Sequence, residues 1–273
     1  MTKQYVIYHA NCDDGFGAAY AVWWHAKRLG LPMPTFIAAQ YNEPVPAMED
    51  GSDVLIVDFS YKLPELTLLC ERMNTVTIVD HHKTAIEELS GDDAFLIPNL
   101  KLFLSDSNSG AVLTWRHING QHAAVPTILS YIEDRDLWKW QLTDSKEHSA
   151  GLSSYPRDFE VWDKLSSNQL INEGRGILRY QAGLVERACL GMRWVHVFGH
   201  RVPVVNSSFL QSEIGNRLCE IHEDAPFAAV WFTNSDGDQV WSLRSKDRMD
   251  VSELAKKVGG GGHPNAAGFK KRA

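Results

Sequence analysis

Acids and histidines gather where apolar runs end in the first third of this chain. His9-Ala10-Asn11-Cys12-Asp13-Asp14-Gly15 follows Tyr5-Val6-Ile7-Tyr8, Asp58 follows Val54-Leu55-Ile56-Val57, and Asp80-His81-His82 follows Val76-Thr77-Ile78-Val79. An Asp after a strand is often a turn former or a helix cap. Three such ends together ask for more, because crowded carboxylates raise one another's pKa and a cation removes that cost. Mixed carboxylate and imidazole donors suit Mn2+, Mg2+, Fe2+ or Zn2+, with octahedral Mn2+ the first choice. The donors suffice for two ions ~3.5–4 Å apart, with Asp58 the simplest bridge. Such a centre deprotonates a water for in-line attack on phosphorus, so the expected chemistry is phosphoester hydrolysis.

A second constellation lies near the other end, in Gly259-Gly260-Gly261-Gly262-His263-Pro264-Asn265-Ala266-Ala267-Gly268. Four consecutive glycines are costly in backbone entropy, and small apolar residues follow them instead of polar linker. The run is expected to be a loop whose N–H groups form a nest for an anion. His263 and Asn265 would add side-chain donors, and Arg244 would pair with a phosphate bidentately.

Strands and helices must position these groups. The patterning predicts strands over 5–8, 35–39, 54–57 and 76–79, with helices over 17–28 and 63–72 between them. This alternation implies a mostly parallel sheet flanked by helices. The carboxyl ends of parallel strands share one edge, where open α/β folds place their sites. Ser107-Asn108-Ser109-Gly110 reads as a helix cap with a helix over 111–117, its N-terminal amides suited to a phosphate. Further helical stretches cover 128–132 and 159–190. Beyond about residue 190 the pattern changes to short strands over 194–198, 202–205, 227–233 and 240–244, with helices over 210–221 and 251–258.

The 273 residues are enough for two domains, and 44% hydrophobic with 22% charged residues is ordinary for a soluble protein. No apolar run reaches membrane-spanning length, and the N-terminus does not resemble a signal peptide. Four scattered cysteines without a CxxC pair fit reduced thiols and a cytoplasmic location. The formal net charge of −7 argues for a small substrate over a long nucleic acid. The tryptophans, including Trp138 and Trp140, read first as packing residues.

Asp80-His81-His82 after a strand, with His9 and Asp14-Gly15 upstream, resembles the DHH phosphoesterase superfamily. The Gly259–Gly268 run resembles the GGGHxxAAG signature of the DHHA1 domain. Together they resemble the subfamily of enzymes that degrade nanoRNA, single strands and dinucleotides. The resemblance implies an α/β fold with a mostly parallel DHH domain over 1–190, its helical connector at 159–190, and a smaller α/β DHHA1 domain over 191–273. A cleft between them would hold the substrate. By position it implies His9, Asp14, Asp58 and His81 as metal ligands, with Asp80 and His82 serving catalysis. Tyr131–Trp138 stands at the fourth motif, where the preceding apolar stretch favours Asp134 and leaves Asp136 as the alternative. The family's usual Asp-x-Asp is altered here: Asp13 adjoins Asp14, and Cys12 stands two positions before it. Either Asp13 reaches the metal from a changed loop or one ligand is lost. Arg244, Gly260, Gly261, Gly262, His263 and Asn265 would bind the substrate's far end. The implied reaction is hydrolysis of short oligonucleotides or linear dinucleotides to mononucleotides, with pAp a further substrate. Two rivals stand beside it: a pyrophosphatase or exopolyphosphatase, and a catalytically impaired nucleotide-binding regulator.

Overall fold

A run of β-formers opens the fold. In the computed structural model, which describes residues 2–41 and 43–272, the first strand is β1 (Gln4–His9), followed by α1 (Asp13–Leu29), β2 (Thr35–Ala39), β3 (Asp53–Val57), α2 (Leu63–Arg72), β4 (Thr75–Asp80), α3 (Lys83–Leu89), α4 (Asp92–Phe95) and β5 (Leu100–Leu104). Helices α5 (Gly110–Asn119), α6 (Thr127–Asp136), α7 (Ser145–Leu152), α8 (Phe159–Trp162) and α9 (Ser167–Cys189) come next. Two compact units divide the chain, Met1–Ile177 and Leu178–Ala273, and their boundary falls within α9.

The first unit holds a five-stranded sheet in the order β2-β1-β3-β4-β5, parallel throughout. Side chains alternate across it with the strand period of two. Tyr5, Ile7, Val54, Ile56, Val76 and Ile78 enter one core with Leu66, Leu69 and Leu89 from α2 and α3. Val6, Val57 and Val79 face the other way onto Ala18 of α1. Each such buried aliphatic contributes about 1.5–3 kcal/mol. The chain leaves β1 toward β2 and returns past β1 to β3, so the winding reverses between β1 and β3. That is a topological switch point, and the crevice at its carboxyl edge is where open α/β sheets bind ligands.

Helix α1 starts at Asp13, four residues before the sequence pattern suggested. Asp13 and Asp14 lie in its first turn and Lys27 and Arg28 in its last, matching the helix dipole at both ends. Gly30, at φ +62°, ends the helix in the left-handed conformation. Phe16, Tyr20 and Trp23 pack with Val112 and Trp115 of α5 and Leu129 and Ile132 of α6. At Gly17 a β-carbon would come within 3.1 Å of Ala111 and Ile132, so this glycine sets how closely the three helices approach.

In the second unit come β6 (Arg193–Val197), β7 (His200–Asn206), α10 (Gln211–Ile221), β8 (Ala228–Thr233), β9 (Gln239–Arg244), α11 (Val251–Lys256), β10 (Gly261–His263) and β11 (Ala266–Lys271). They form a mixed six-stranded sheet in the order β10-β11-β9-β8-β7-β6. Helix α10 covers one face through Ile214 and Leu218, and α11 covers the other through Val251, Leu254 and Ala255. Among the described residues, no helix is long and apolar enough to cross a membrane.

Candidate metal centre

The carboxyl ends of β1, β3 and β4 carry His9, Asp58 and Asp80-His81-His82 to one edge of the parallel sheet. Asp58 lies just past β3. Its N–H donates to Val79 O of β4 at 2.9 Å, and its φ of +53° turns the chain out of the sheet. Phe59, fully buried beside it, anchors that turn. The Phe59 ring also stacks on His9 at a centroid distance of 6.1 Å.

Within this unit, three sets of ligand atoms lie within 4.8 Å of one another: His9, Cys12 and Asp58; Asp14, Asp58 and His81; Asp58, Asp80 and His82. Asp58 belongs to all three and is 1% exposed. Nε2 of His81 is 3.0 Å from Asp58 Oδ1, 3.5 Å from Asp14 Oδ2 and 3.6 Å from Asp136 Oδ2. Nδ1 of His9 is 3.6 Å from Asp58 Oδ2. Asp80 Oδ1 accepts from the backbone N–H of His81 (2.7 Å) and His82 (3.2 Å) and lies 2.8 Å from His82 Nδ1. Asp80 therefore orients His82.

Asp14 is held from across the unit. Its Oδ2 accepts from Gly110 N at 2.6 Å and its Oδ1 from Ala111 N at 3.1 Å. Two N-terminal amides of α5 thus serve this carboxylate, not the phosphate suggested by the sequence. Ser109 caps the helix as expected, its Oγ accepting from Val112 N. Two glycines make room. A β-carbon on Gly15 would meet His9 O at 2.3 Å, and one on Gly110 would meet Asp58 Cβ and Oδ1 at 2.5 Å. Neither role was legible beforehand, although Gly15 stood within the first motif.

Two expectations change. Asp13 is turned away from the cluster: its carboxylate accepts from Arg135 (3.2 Å), Ser153 Oγ (3.1 Å) and Arg157 Nε (3.0 Å). Adjacent residues on a helix point in different directions, so only one of Asp13 and Asp14 reaches the centre. Asp136, not the favoured Asp134, approaches His81. Asp134 instead accepts from the N–H groups of Gln141 (2.9 Å) and Leu142 (3.2 Å), holding the turn after α6.

The electrostatics call for a cation. Burial, with the charges of Asp58 and Asp136, pushes the Asp14 carboxyl well above its usual range. Burial raises Asp136 as well. Burial alone would raise Asp58 too, but His81 and His9 hold it well below the usual carboxylate range. Burial disfavours charge on His81, yet Asp58, Asp136 and Asp14 outweigh it and hold this imidazole well above its ordinary value. The Cys12 thiol is pushed up by burial and by Asp58, Asp14 and Asp136. Among the described residues nothing hydrogen-bonds to the buried Asp80 Oδ2, Asp136 Oδ2 or His9 Nδ1. Buried acceptors left this way are costly. The donor set, chiefly carboxylate and imidazole, fits divalent ions.

The predicted substrate-binding residues all lie in the second unit. The glycine run is not the open loop expected. Gly259, at φ +79°, ends α11, and the N–H groups of Gly259 and Gly260 donate to Lys256 O and Ala255 O. Gly261, Gly262 and His263 form β10, paired with β11. A β-carbon on Gly260 would meet Gly268 O at 2.2 Å, and one on Gly262 would meet Ala266 O at 2.5 Å. Close strand approach and the helix end explain these glycines. The Asn265 side chain accepts from the Asp247 N–H and donates to its carboxylate, bracing the turn after β9. Arg244 donates to Ser212 Oγ (2.6 Å) and Leu243 O (2.8 Å), its stem running past Gly215.

Comparison with known proteins agrees with this architecture. Residues 204–272 match the DHHA1 domain family. An uncharacterized protein of Acanthamoeba polyphaga mimivirus is 31% identical over 97% of this chain and 66% of its own length. The oligoribonuclease NrnB of Bacillus subtilis is 26% identical over 71% of this chain and 52% of its own length. The chain thus spans about half to two thirds of these relatives. The crystal structure of RecJ in complex with Mn2+ from Thermus thermophilus shares the fold, with a TM-score of 0.51, 13% identity, and coverage of 98% of this chain and 49% of that one.

Proposed function

We propose that this chain, whose residues 204–272 match the DHHA1 domain family, is a DHH/DHHA1 phosphoesterase: a metal-dependent phosphodiesterase acting on short oligonucleotides or linear dinucleotides and releasing mononucleotides. The observation that carries the reading is Asp58: a buried carboxylate common to three sets of ligand atoms. His9, Asp14, Asp58, His81 and Asp136 would hold two divalent ions, Mn2+ being the first choice for the oxygen-rich set. When bound, such ions supply Lewis acidity to the phosphoryl oxygens and ease deprotonation of the attacking water.

The chain's own residues do the rest. Asp80 fixes the orientation of His82 through Nδ1. Burial disfavours the charged His82 ring, but Asp80 holds its pKa above the ordinary value, which suits a group that gives a proton to the departing oxygen. Asp14 stays in place because α5 grips it. Within the second unit, Arg244 and His263 are the candidates for holding a phosphate. The formal charge of −7 and the oligoribonuclease name of the Bacillus subtilis relative both favour a short substrate.

The test is turnover of a linear dinucleotide, a five-nucleotide RNA, a long single strand, pAp and polyphosphate, with Mn2+, by wild type and Asp58→Asn. Mononucleotide release from the short substrates, lost in the variant, is expected. Turnover confined to polyphosphate, or none by well-folded wild type, would overturn the proposal.

A further inference from the structure

One of the three sets, His9, Cys12 and Asp58, differs chemically from the others because it contains sulfur. Cys12 precedes α1 at its N-cap, yet its side chain caps nothing there. Ser, Thr, Asp or Asn would serve that position better, so helix capping does not account for the thiol. Cys12 Sγ instead lies 3.8 Å from Asp58 Oδ2, and His9 Nδ1 lies 3.6 Å from the same oxygen. Two donors on one tetrahedral ion, at about 2.3 Å for sulfur and about 2.0–2.2 Å for nitrogen or oxygen, stand about 3.4–3.6 Å apart. The observed separations are close to that edge.

A second observation points the same way. The buried Nδ1 of His9 has no hydrogen-bond partner among the described residues, and it faces the same oxygen of the buried Asp58 that Cys12 does. A thiol satisfied simply by an S–H···O contact would leave that nitrogen unserved. A cation shared by all three residues would serve it.

We infer that Cys12 is a metal ligand, joining His9 and Asp58 in a mixed nitrogen, sulfur and oxygen site that takes a borderline-soft divalent ion such as Zn2+, Co2+ or Fe2+ in preference to Mg2+ or Mn2+. This rests on the metal-centre reading above and adds an asymmetry to it. Asp14, Asp58, Asp136 and His81 form an oxygen-rich site suited to Mn2+ or Mg2+, while the set with Cys12 suits a softer ion. Binding releases the thiol proton to solvent, and the sulfur lone pair makes the new bond.

The experiment is a Co2+ titration of the full-length, metal-stripped chain, following the near-ultraviolet charge-transfer band that thiolate ligation gives and carboxylate or imidazole ligation does not. The band is expected in wild type, and its loss in Cys12→Ser and Cys12→Asp while Co2+ still binds by metal analysis. Cys70→Ser, Cys189→Ser and Cys219→Ser should retain it. Zn2+ should also protect Cys12 of the wild-type chain from alkylation, counted on its peptide by mass spectrometry, which needs no variant to fold. Co2+ bound without the band, a band that survives Cys12→Ser, or alkylation of Cys12 unslowed by Zn2+ would overturn the Cys12 assignment and leave the metal centre standing. No Co2+ binding at all would overturn both.

Discussion

Gly110 is the most informative single position, because its substitution displaces Asp58 without replacing any candidate ligand residue. In Gly110→Ala the new β-carbon would lie 2.5 Å from both Cβ and Oδ1 of Asp58, whereas ordinary contact begins at 3.4 Å. Either the start of α5 or Asp58 must therefore give way by about 0.9 Å. The start of α5 resists, since its amides hold Asp14 at 2.6 and 3.1 Å. Asp58 resists too, pinned by its bond to Val79 O. Any compromise displaces one of two ligands. A misplacement near 1 Å costs about 10²-fold in rate, and overpacking costs about 1–3 kcal/mol of stability. Replacing Gly by Ala in a helix returns about 0.5–1 kcal/mol. Activity should accordingly fall much further than thermal stability. Steady-state hydrolysis of a short oligonucleotide with Mn2+, Mn2+ affinity by calorimetry, and thermal unfolding followed by circular dichroism read the three quantities. A Gly110→Ala protein within about twofold of wild type in rate and affinity would refute the reasoning, since it would mean that Asp58 tolerates a shift of this size.

Three further predictions follow from named contacts. Asp136→Asn should weaken Mn2+ binding, while Asp13→Asn should leave it near wild type and cost about 1 kcal/mol or less, because the Arg135 and Arg157 partners of Asp13 are partly exposed; calorimetry and urea unfolding separate the two effects. His148 is fully buried against the Tyr131 ring at 4.0 Å, with neither ring nitrogen hydrogen-bonded among the described residues, and burial lowers its pKa to about 4. The unfolded chain takes up this proton near pH 6.5 and the folded chain does not, so stability present above that pH is lost as pH falls toward 4. Between pH 7 and pH 4.5 the loss is about 2.5 kcal/mol, and His148→Phe should remove that part of the acid dependence in urea unfolding; parallel wild-type and variant curves would contradict this. Gly262→Ala, whose β-carbon would meet Ala266 O at 2.5 Å at a φ of +137°, should lower the stability of the second unit, read by hydrogen exchange at β10 and β11, and unchanged protection would count against the packing argument.

The strand framework was legible because short β-branched runs that end in acids leave few alternatives. The predicted strand over 35–39 and helix over 63–72 coincide with β2 and α2. The carboxyl-edge cluster followed from the parallel order alone. What escaped depended on direction and not on residue type. Asp13 and Asp14 are equivalent as letters, but the early start of α1 sends them to different neighbours. Asp134 and Asp136 are likewise equivalent as letters, and only the end of α6 decides which faces His81. The glycine run looked like an anion nest because its glycines are consecutive. Their separate reasons, a helix end and two close backbone approaches, exist only once α11, β10 and β11 are packed. Strand β5, Leu100–Leu104, was missed although it alternates exposure along its length.

The most direct test of the central claim is the number of divalent ions bound per chain, measured by metal analysis after equilibrium dialysis of wild type and Asp58→Asn. The account predicts two ions in wild type, with at least one lost in the variant, because Asp58 belongs to every ligand set in the first unit. A folded wild-type chain that binds none, or an Asp58→Asn chain that binds as many as wild type, would contradict it.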